Sequence, residues 1–373
     1  MSRPTPTRSS ARRPVDELRT ALAAVGPLDA AAMAAAQQHL DRLTKPPGSL
    51  GRLEALVVTL AGITGRIDAP VDRRAIVLAA GDHGVARNGV SAYPVEVTAQ
   101  MVANFVAGGA AVNTLARAVS ARLLVVDVGV AGPIPGLDAP DMGDGGPLIQ
   151  ARIRAGTRDM TAEPAMTRAE ALEAVDVGRR IVTDLRTDGI DVLAIGEMGI
   201  GNTTAASALA AVFTGAGVEA VTGRGTGLDD AGRRRKVVAI EHALALHAPD
   251  PADPLGALSA VGGLEIAALV GVILEAVLAR VPVVLDGFIT GAAALVAAAI
   301  EPSIAPRLIA GHRSAEPGHA IVLEHLGLRP ILELDLRLGE GSGAALAMAI
   351  IAAAVAVRDG MATFDDAGVA GPA

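Results

Sequence analysis

"DVLAIGEMGIGNTTAASALA", residues 191–210, holds an apolar run, a turn with glycines at 196, 199 and 201, and an alanine-rich stretch opened by Asn202, Thr203 and Thr204. A short run that is apolar on both faces reads as a strand buried between two layers. The Asn/Thr cluster reads as the N-terminus of a helix. Strand, glycine turn and helix together are the unit of a doubly wound α/β sheet, whose ligands bind beyond the carboxyl ends of the strands. Free backbone N–H groups and the helix dipole make such a turn an anion site. Its G-x-x-G-x-G spacing is neither the dinucleotide fingerprint nor the P-loop. Taken alone, it reads equally well as a tight glycine turn with an Asn/Thr cap.

Five further runs extend the pattern: "AIVLAA" (75–80), "LLVVDVGV" (123–130), "VPVVLDG" (281–287), "RLIAGH" (307–312) and "ILELDL" (331–336). Helical stretches at 97–118, 168–186, 203–213, 229–248 and 263–280 alternate with them. The expected fold is therefore α/β: a Rossmann-like, doubly wound, mainly parallel sheet of about six strands. Helices at about 15–65 and 343–358 flank it and are expected to form a small helical domain from both chain ends (1–70 plus 337–373), beside a large domain at 71–336. Residues 1–14 read as a disordered tail, and 131–167, rich in Gly, Pro and Asp, as the one long irregular connection.

With 51% hydrophobic but 1% aromatic residues, the core must be built from Ala, Val, Leu and Ile, which singles out Tyr93 and Phe105. A net charge of −8 without a long basic run argues against a nucleic-acid partner. The absence of cysteine excludes disulfides and Cys-ligated zinc and fits a reducing cytoplasm. Seven histidines form no H-x-x-x-H pair, so no metal site is expected. The apolar stretches 266–279 and 343–357 are shorter than a membrane span needs and read as buried helices.

Nearly every strand ends in residues that do chemistry: Gly81-Asp82-His83, Asp127, Gly196-Glu197, Asp286-Gly287 and Gly311-His312. "AGHRSAEPGHA" (310–320) repeats the strand, turn and helix design, and "GRGTGLDDAGRRRKVVAIEHAL" (223–244) adds a glycine loop with Lys236 in the helix that follows. Two such loops suit a ligand that carries a phosphate and a ribose. In "LDLRLGEGSGAALAM" (334–348) one carboxylate, Glu340, stands between glycines where an extended run gives way to a helix.

"LTKPPGSLGRLE" (43–54), "GDHGVARNGVSAYPVEVTAQMVANF" (81–105), "GEMGIGNTT" (196–204), "GRGTGLDD" (223–230), "VGGLEIAALVG" (261–271), "LDGFITGAAAL" (285–295), "GHRSAEPGH" (311–319) and "RLGEGSGAALAM" (337–348) together resemble the nicotinate-nucleotide:dimethylbenzimidazole phosphoribosyltransferase family. The resemblance runs from about residue 40 to about 350. It implies transfer of ribose 5-phosphate from nicotinate mononucleotide to 5,6-dimethylbenzimidazole with inversion, giving α-ribazole 5′-phosphate and nicotinate, in the assembly of cobalamin's lower ligand. It also implies a homodimer and no cofactor.

By the same matching, Glu340 is the catalytic base. Glu197, Gly199, Asn202, Thr203, Lys236, Asp286 and Ser314 hold nicotinate mononucleotide, with Asp286 suited to the ribose hydroxyls and Lys236 to an anion. Tyr93, Met101, Phe105, Met198 and Leu338 line an apolar slot for the flat benzimidazole. Taken alone, Met101 and Leu338 read as ordinary core. Two alternatives stay open, the same chemistry on another base and a noncatalytic sensor of cobamide precursors. A nicotinamide-dependent dehydrogenase would need the G-x-G-x-x-G turn that is missing.

Overall fold

The computed structural model describes residues 15–136, 148–225 and 227–370. The expected tail at 1–14, and 137–147 of the 131–167 connection, lie outside the described residues.

Six strands, β1 (Arg74–Gly81), β2 (Ala121–Gly129), β3 (Leu148–Gln150), β4 (Val192–Met198), β5 (Val283–Leu285) and β6 (Leu308–Ala310), form one parallel sheet in the order β3-β2-β1-β4-β5-β6. This is the doubly wound order of Rossmann-type sheets, with the crevice expected between β1 and β4, where the winding reverses. Buried Val, Leu, Ile and Ala dominate the strands, so they tolerate a helix layer on each face.

On one face, helices Arg168–Asp188 and Leu264–Leu278 approach backbone to backbone. A Cβ at Gly178 would lie 1.9 Å from Ala268 O, and one at Gly271 1.9 Å from Val175 O, so both glycines are steric requirements. On the other face, helices Ala30–Arg42, Arg52–Thr64 and Ser342–Gly360 share an apolar cluster with the outward residues of the central strands. The first helix, Val15–Ala23, goes elsewhere: Leu18 and Leu22 join the cluster on the opposite face, against helix Leu264–Leu278. Ser342–Gly360 is the one helix among the described residues long and apolar enough to cross a bilayer, and half of its apolar window is buried in the protein.

Two expectations about elements need correction. "ILELDL" (331–336) is not a strand but a strap tied to the end of β6, where the Ile331 N–H donates to Ala310 O (2.9 Å) and the Leu332 N–H to Gly311 O (3.0 Å). Pro330 precedes it, Glu333, Leu334 and Asp335 are exposed, and Asp335 has φ +54°, so no second layer covers it and the ladder stops. The sixth strand is β3, three residues within the 131–167 connection, two half-exposed and one exposed, too short to leave an apolar signature. The expected helix over 97–118 is two helices, Glu96–Val106 and Ala111–Ala118, parted at Gly108 with φ +78°.

Candidate active site

Gly339, Glu340 and Gly341 adopt φ of +83°, +63° and +82°, three successive left-handed residues at the entry to helix Ser342–Gly360. Glycine accepts this freely, but for a glutamate it costs about 1–2 kcal/mol, so its surroundings must hold it. The turn lies on Gly196 of β4, where a Cβ would sit 2.5 Å from Gly341 N. From the end of β5, Asp286 pins it. Its Oδ1 accepts the N–H groups of Gly343 (2.7 Å) and Ala344 (2.9 Å), and its Oδ2 that of Gly341 (3.1 Å). A buried carboxylate from a distant strand thus answers the dipole and unpaired N–H groups of this helix.

Glu340 is only 6% exposed, and no donor among the described residues reaches its Oε2. Burial, aided by the negative charge of Asp286, pushes its carboxyl up to about 7. Glu197, at the end of β4, is pushed up to about 8 by burial and then by Asp286 and Glu265, against the opposing hydrogen bond from Asn202 Nδ2. One carboxyl of the pair is thus poised near neutrality and the other is largely protonated there. Such perturbed groups in a cleft mark a chemical site.

The wall beyond Glu197 is polar and buried. Lys236 is fully buried, its Nζ donates to Thr203 Oγ1 (2.7 Å), and burial lowers it to about 8 although Glu316 pulls the other way. The Glu316 Oε1 accepts the Gly225 N–H (3.0 Å). The Ser314 N–H donates to His319 Nδ1 (2.9 Å), which leaves the proton of a neutral His319 on Nε2, and burial lowers that ring to about 3. His312 lies with Nε2 3.6 Å from Asp286 Oδ1.

These elements enclose an inner cavity of about 80 Å³ lined by Glu197, Met198, Gly199, Asn202, Thr203, Ser314, Leu338 and Glu340 among others. A second cavity of about 610 Å³ adjoins it, the two sharing Gly225, Glu316 and Arg337. Lys236 stands behind Thr203, and Asp286 behind the helix it pins.

Tyr93, Met101 and Phe105 do not line either cavity. Tyr93 is 53% exposed on the loop before helix Glu96–Val106, and Leu338 is 56% exposed at the rim. Phe105 is fully buried in the core, and Met101 is half-buried against the same cluster. Their helix is tied to the glycine turn by the Ile200 N–H, which donates to Thr98 Oγ1 (3.0 Å).

Sequence reasoning did not single out Glu316, Arg337 or Gly225 as site residues. Glu316 had a legible signal, since it follows Ser314 by two positions in the same turn between strand and helix, where its N–H donates to Ser314 Oγ (3.3 Å). Arg337 precedes the Leu338–Glu340 run and had none beyond proximity. Among the described residues no cluster of His, Asp and Glu is arranged to hold a metal ion.

The architecture is that of the α/β proteins that take a small ligand at the winding reversal of a parallel sheet, and a family model described as Phosphoribosyltransferase matches residues 25–369. The nicotinate-nucleotide–dimethylbenzimidazole phosphoribosyltransferase of Desulforudis audaxviator is 54% identical over 355 residues, covering 95% of this chain and 98% of that one. The protein of the same name from Salinispora tropica is 53% identical over 360 residues, covering 95% and 99%. The crystal structure of CobT from Thermus thermophilus superposes with a TM-score of 0.85 at 47% identity, covering 92% of this chain and all of that one. The chain belongs to the nicotinate-nucleotide–dimethylbenzimidazole phosphoribosyltransferase family.

Proposed function

We propose that the protein transfers ribose 5-phosphate from nicotinate mononucleotide to 5,6-dimethylbenzimidazole, with inversion at the anomeric carbon, and that Glu340 is the general base. The leaving nitrogen of nicotinate mononucleotide is a pyridinium, which departs neutral and needs no acid. The attacking azole does need help. As one ring nitrogen bonds to the sugar, the proton on the other must leave, or the product stays cationic. A carboxylate within hydrogen-bond reach takes it, best when its own affinity for protons is matched to the working pH.

The observation that carries this reading is the state of Glu340: a buried carboxyl with a bare oxygen, raised to about 7, on a turn held by Gly196 and Asp286. Negative charge around it also favours the positive charge that builds at the anomeric carbon as the glycosidic bond breaks. Thr203, Asn202 and Ser314, with the charge of Lys236 behind Thr203, offer donors for the anionic groups of the nucleotide, and Met198 and Leu338 an apolar edge for the flat acceptor.

The same reading makes the protein a cytoplasmic homodimer, with Tyr93, Met101 and Phe105 on the acceptor side, and groups the chain ends, 1–70 with 337–373, as a small lobe beside 71–336, from which helix Val15–Ala23 departs by packing on the opposite face. The experiment is to incubate the purified protein with nicotinate mononucleotide and a panel of azoles, purines and phenols, and to identify products by mass. An α-ribazole 5′-phosphate mass with dimethylbenzimidazole, formed equally in excess EDTA, is expected. Preference for another base would keep the mechanism and change the substrate. Binding without turnover would favour a sensor.

A further inference from the structure

Asp286 at a strand end is where sequence logic puts recognition of the ribose hydroxyls, yet both of its oxygens are already engaged. Three backbone N–H groups of the 341–344 turn occupy both of its oxygens, and its side chain is wholly buried. Turning it toward a ligand would strip the N-terminus of the helix that carries Glu340.

The segment after β6 offers a different acceptor. Residues 312–314 leave β6 extended, and 315–316 bend toward the helix that follows. The Arg313 N–H donates to Leu332 O (2.8 Å) and the Ala315 N–H to Leu336 O (3.0 Å), which ties the backbone of the odd positions to the strap. The even positions, His312, Ser314 and Glu316, line the inner cavity. Two of these three are unsatisfied. Glu316 is 8% exposed, with Oε1 fixed by the Gly225 N–H and Oε2 without a partner among the described residues. His312 is 1% exposed, and neither ring nitrogen has a hydrogen bond. Room is made for the bare oxygen: a Cβ at Gly223 would fall 2.0 Å from Glu316 Oε2. Buried polar groups are nearly always paired, and two orphans on one face of a cavity wall call for a ligand rich in hydroxyls.

Resting on the proposed transfer reaction, we infer that Glu316 and His312, rather than Asp286, receive the ribose hydroxyls of nicotinate mononucleotide, Glu316 accepting from one hydroxyl and His312 pairing with its neighbour. Glu316 also belongs to the wall of the larger adjoining cavity, so a sugar gripped there would bridge the two compartments, with its anomeric carbon left toward Glu340.

The test is a binding cycle read by calorimetry, which needs no turnover. Nicotinate mononucleotide and its 2′-deoxy and 3′-deoxy analogues are titrated into the wild type, Glu316→Gln, His312→Phe and Asp286→Asn. Both analogues should bind the wild type more weakly than the parent, the one that lacks the partner of Glu316 about 10- to 100-fold, the usual loss for a hydrogen bond to a charged group. In Glu316→Gln that penalty should shrink to about threefold or less, because the partner is already gone. His312→Phe should shrink the penalty of the other analogue, and Asp286→Asn should leave both intact while lowering the melting temperature. Penalties unchanged in Glu316→Gln and His312→Phe, or abolished in Asp286→Asn, would overturn the assignment. If the wild type fails to bind nicotinate mononucleotide at all, the transfer reaction falls, and this assignment with it. The two failures are therefore told apart by the wild-type titration.

Discussion

The two sides of the cleft are built to different standards. On the side proposed for the nucleotide, Glu197, Asn202, Lys236, Ser314 and Glu316 are all buried and tied by specific hydrogen bonds, most of them made by backbone N–H groups or fixed side chains. On the side proposed for the acceptor, Tyr93 and Leu338 are exposed, Met101 is half-buried and Phe105 lies in the core. The difference matches what each proposed ligand would demand. Phosphate and ribose need charged and polar partners, which are costly to bury unless they are prearranged, so the fold arranges them in advance. A flat azole needs only apolar area and one proton acceptor, which a loop can supply when the ligand arrives.

The largest effect is expected at Glu340, the one polar group proposed to serve the acceptor. Glu340→Gln keeps the size of the side chain but not its affinity for a proton, so kcat should fall by ~10²–10⁴ while the affinity for nicotinate mononucleotide barely changes. Steady-state kinetics with dimethylbenzimidazole, and with acceptors of more acidic N–H, would check it. The defect should shrink as the acceptor's acidity rises.

Next in size comes the brace beneath the turn. Asp286→Ala would leave the N–H groups of Gly341, Gly343 and Ala344 unpaired in the interior, at a cost of about 3 kcal/mol in unfolding free energy. Denaturant titration would read it. A loss well below that would mean that water replaces the carboxylate and that the turn is held by Gly196 packing alone.

Removing an anion contact on the prebuilt side should act on binding rather than on chemistry. Lys236→Met is expected to raise KM for nicotinate mononucleotide about 10- to 100-fold with a smaller change in kcat, since the proposed attraction of its charge for the anion, passed through Thr203, acts in ground and transition states alike. A pure loss of kcat with normal KM would place Lys236 at the reacting bond instead.

The smallest effect should come from the open side. Tyr93→Ala removes one stacking partner, worth roughly 0.5–1.5 kcal/mol, so KM for dimethylbenzimidazole should rise about two- to tenfold with KM for the nucleotide unchanged. An equal rise in both would show that the loop orders the whole cleft.

What the sequence disclosed divides along similar lines. The strands that build the centre of the sheet announce themselves as apolar runs, and the helices that begin at Arg168, Asn202 and Asp230 start within a residue of the expected stretches at 168–186, 203–213 and 229–248. β3 did not, because its three residues, none of them buried, owe their strand state to pairing with β2 rather than to their own pattern. The strap at 331–336 misled for the opposite reason: its alternating leucines suit a strand, but the sheet ends at β6. Within the site, the glycines around Glu340 pointed to a close approach, and the structure supplies the neighbour, Gly196, from a strand 144 positions away. Asp286 was legible as a polar strand end, but its engagement with a helix 55 to 58 residues on is a tertiary fact that no local pattern carries.

The central claim is that a carboxyl raised by burial and by Asp286 takes the azole proton. A base works only when ionised, so kcat should climb with pH through a midpoint near 7 and level off above it. The decisive measurement is that pH profile in the wild type and in Glu340→Gln, with saturating nicotinate mononucleotide and dimethylbenzimidazole. The account predicts a single rising limb centred near 7 in the wild type, absent from the residual activity of the variant. A flat wild-type profile across that range, or the same limb persisting in Glu340→Gln, would contradict it.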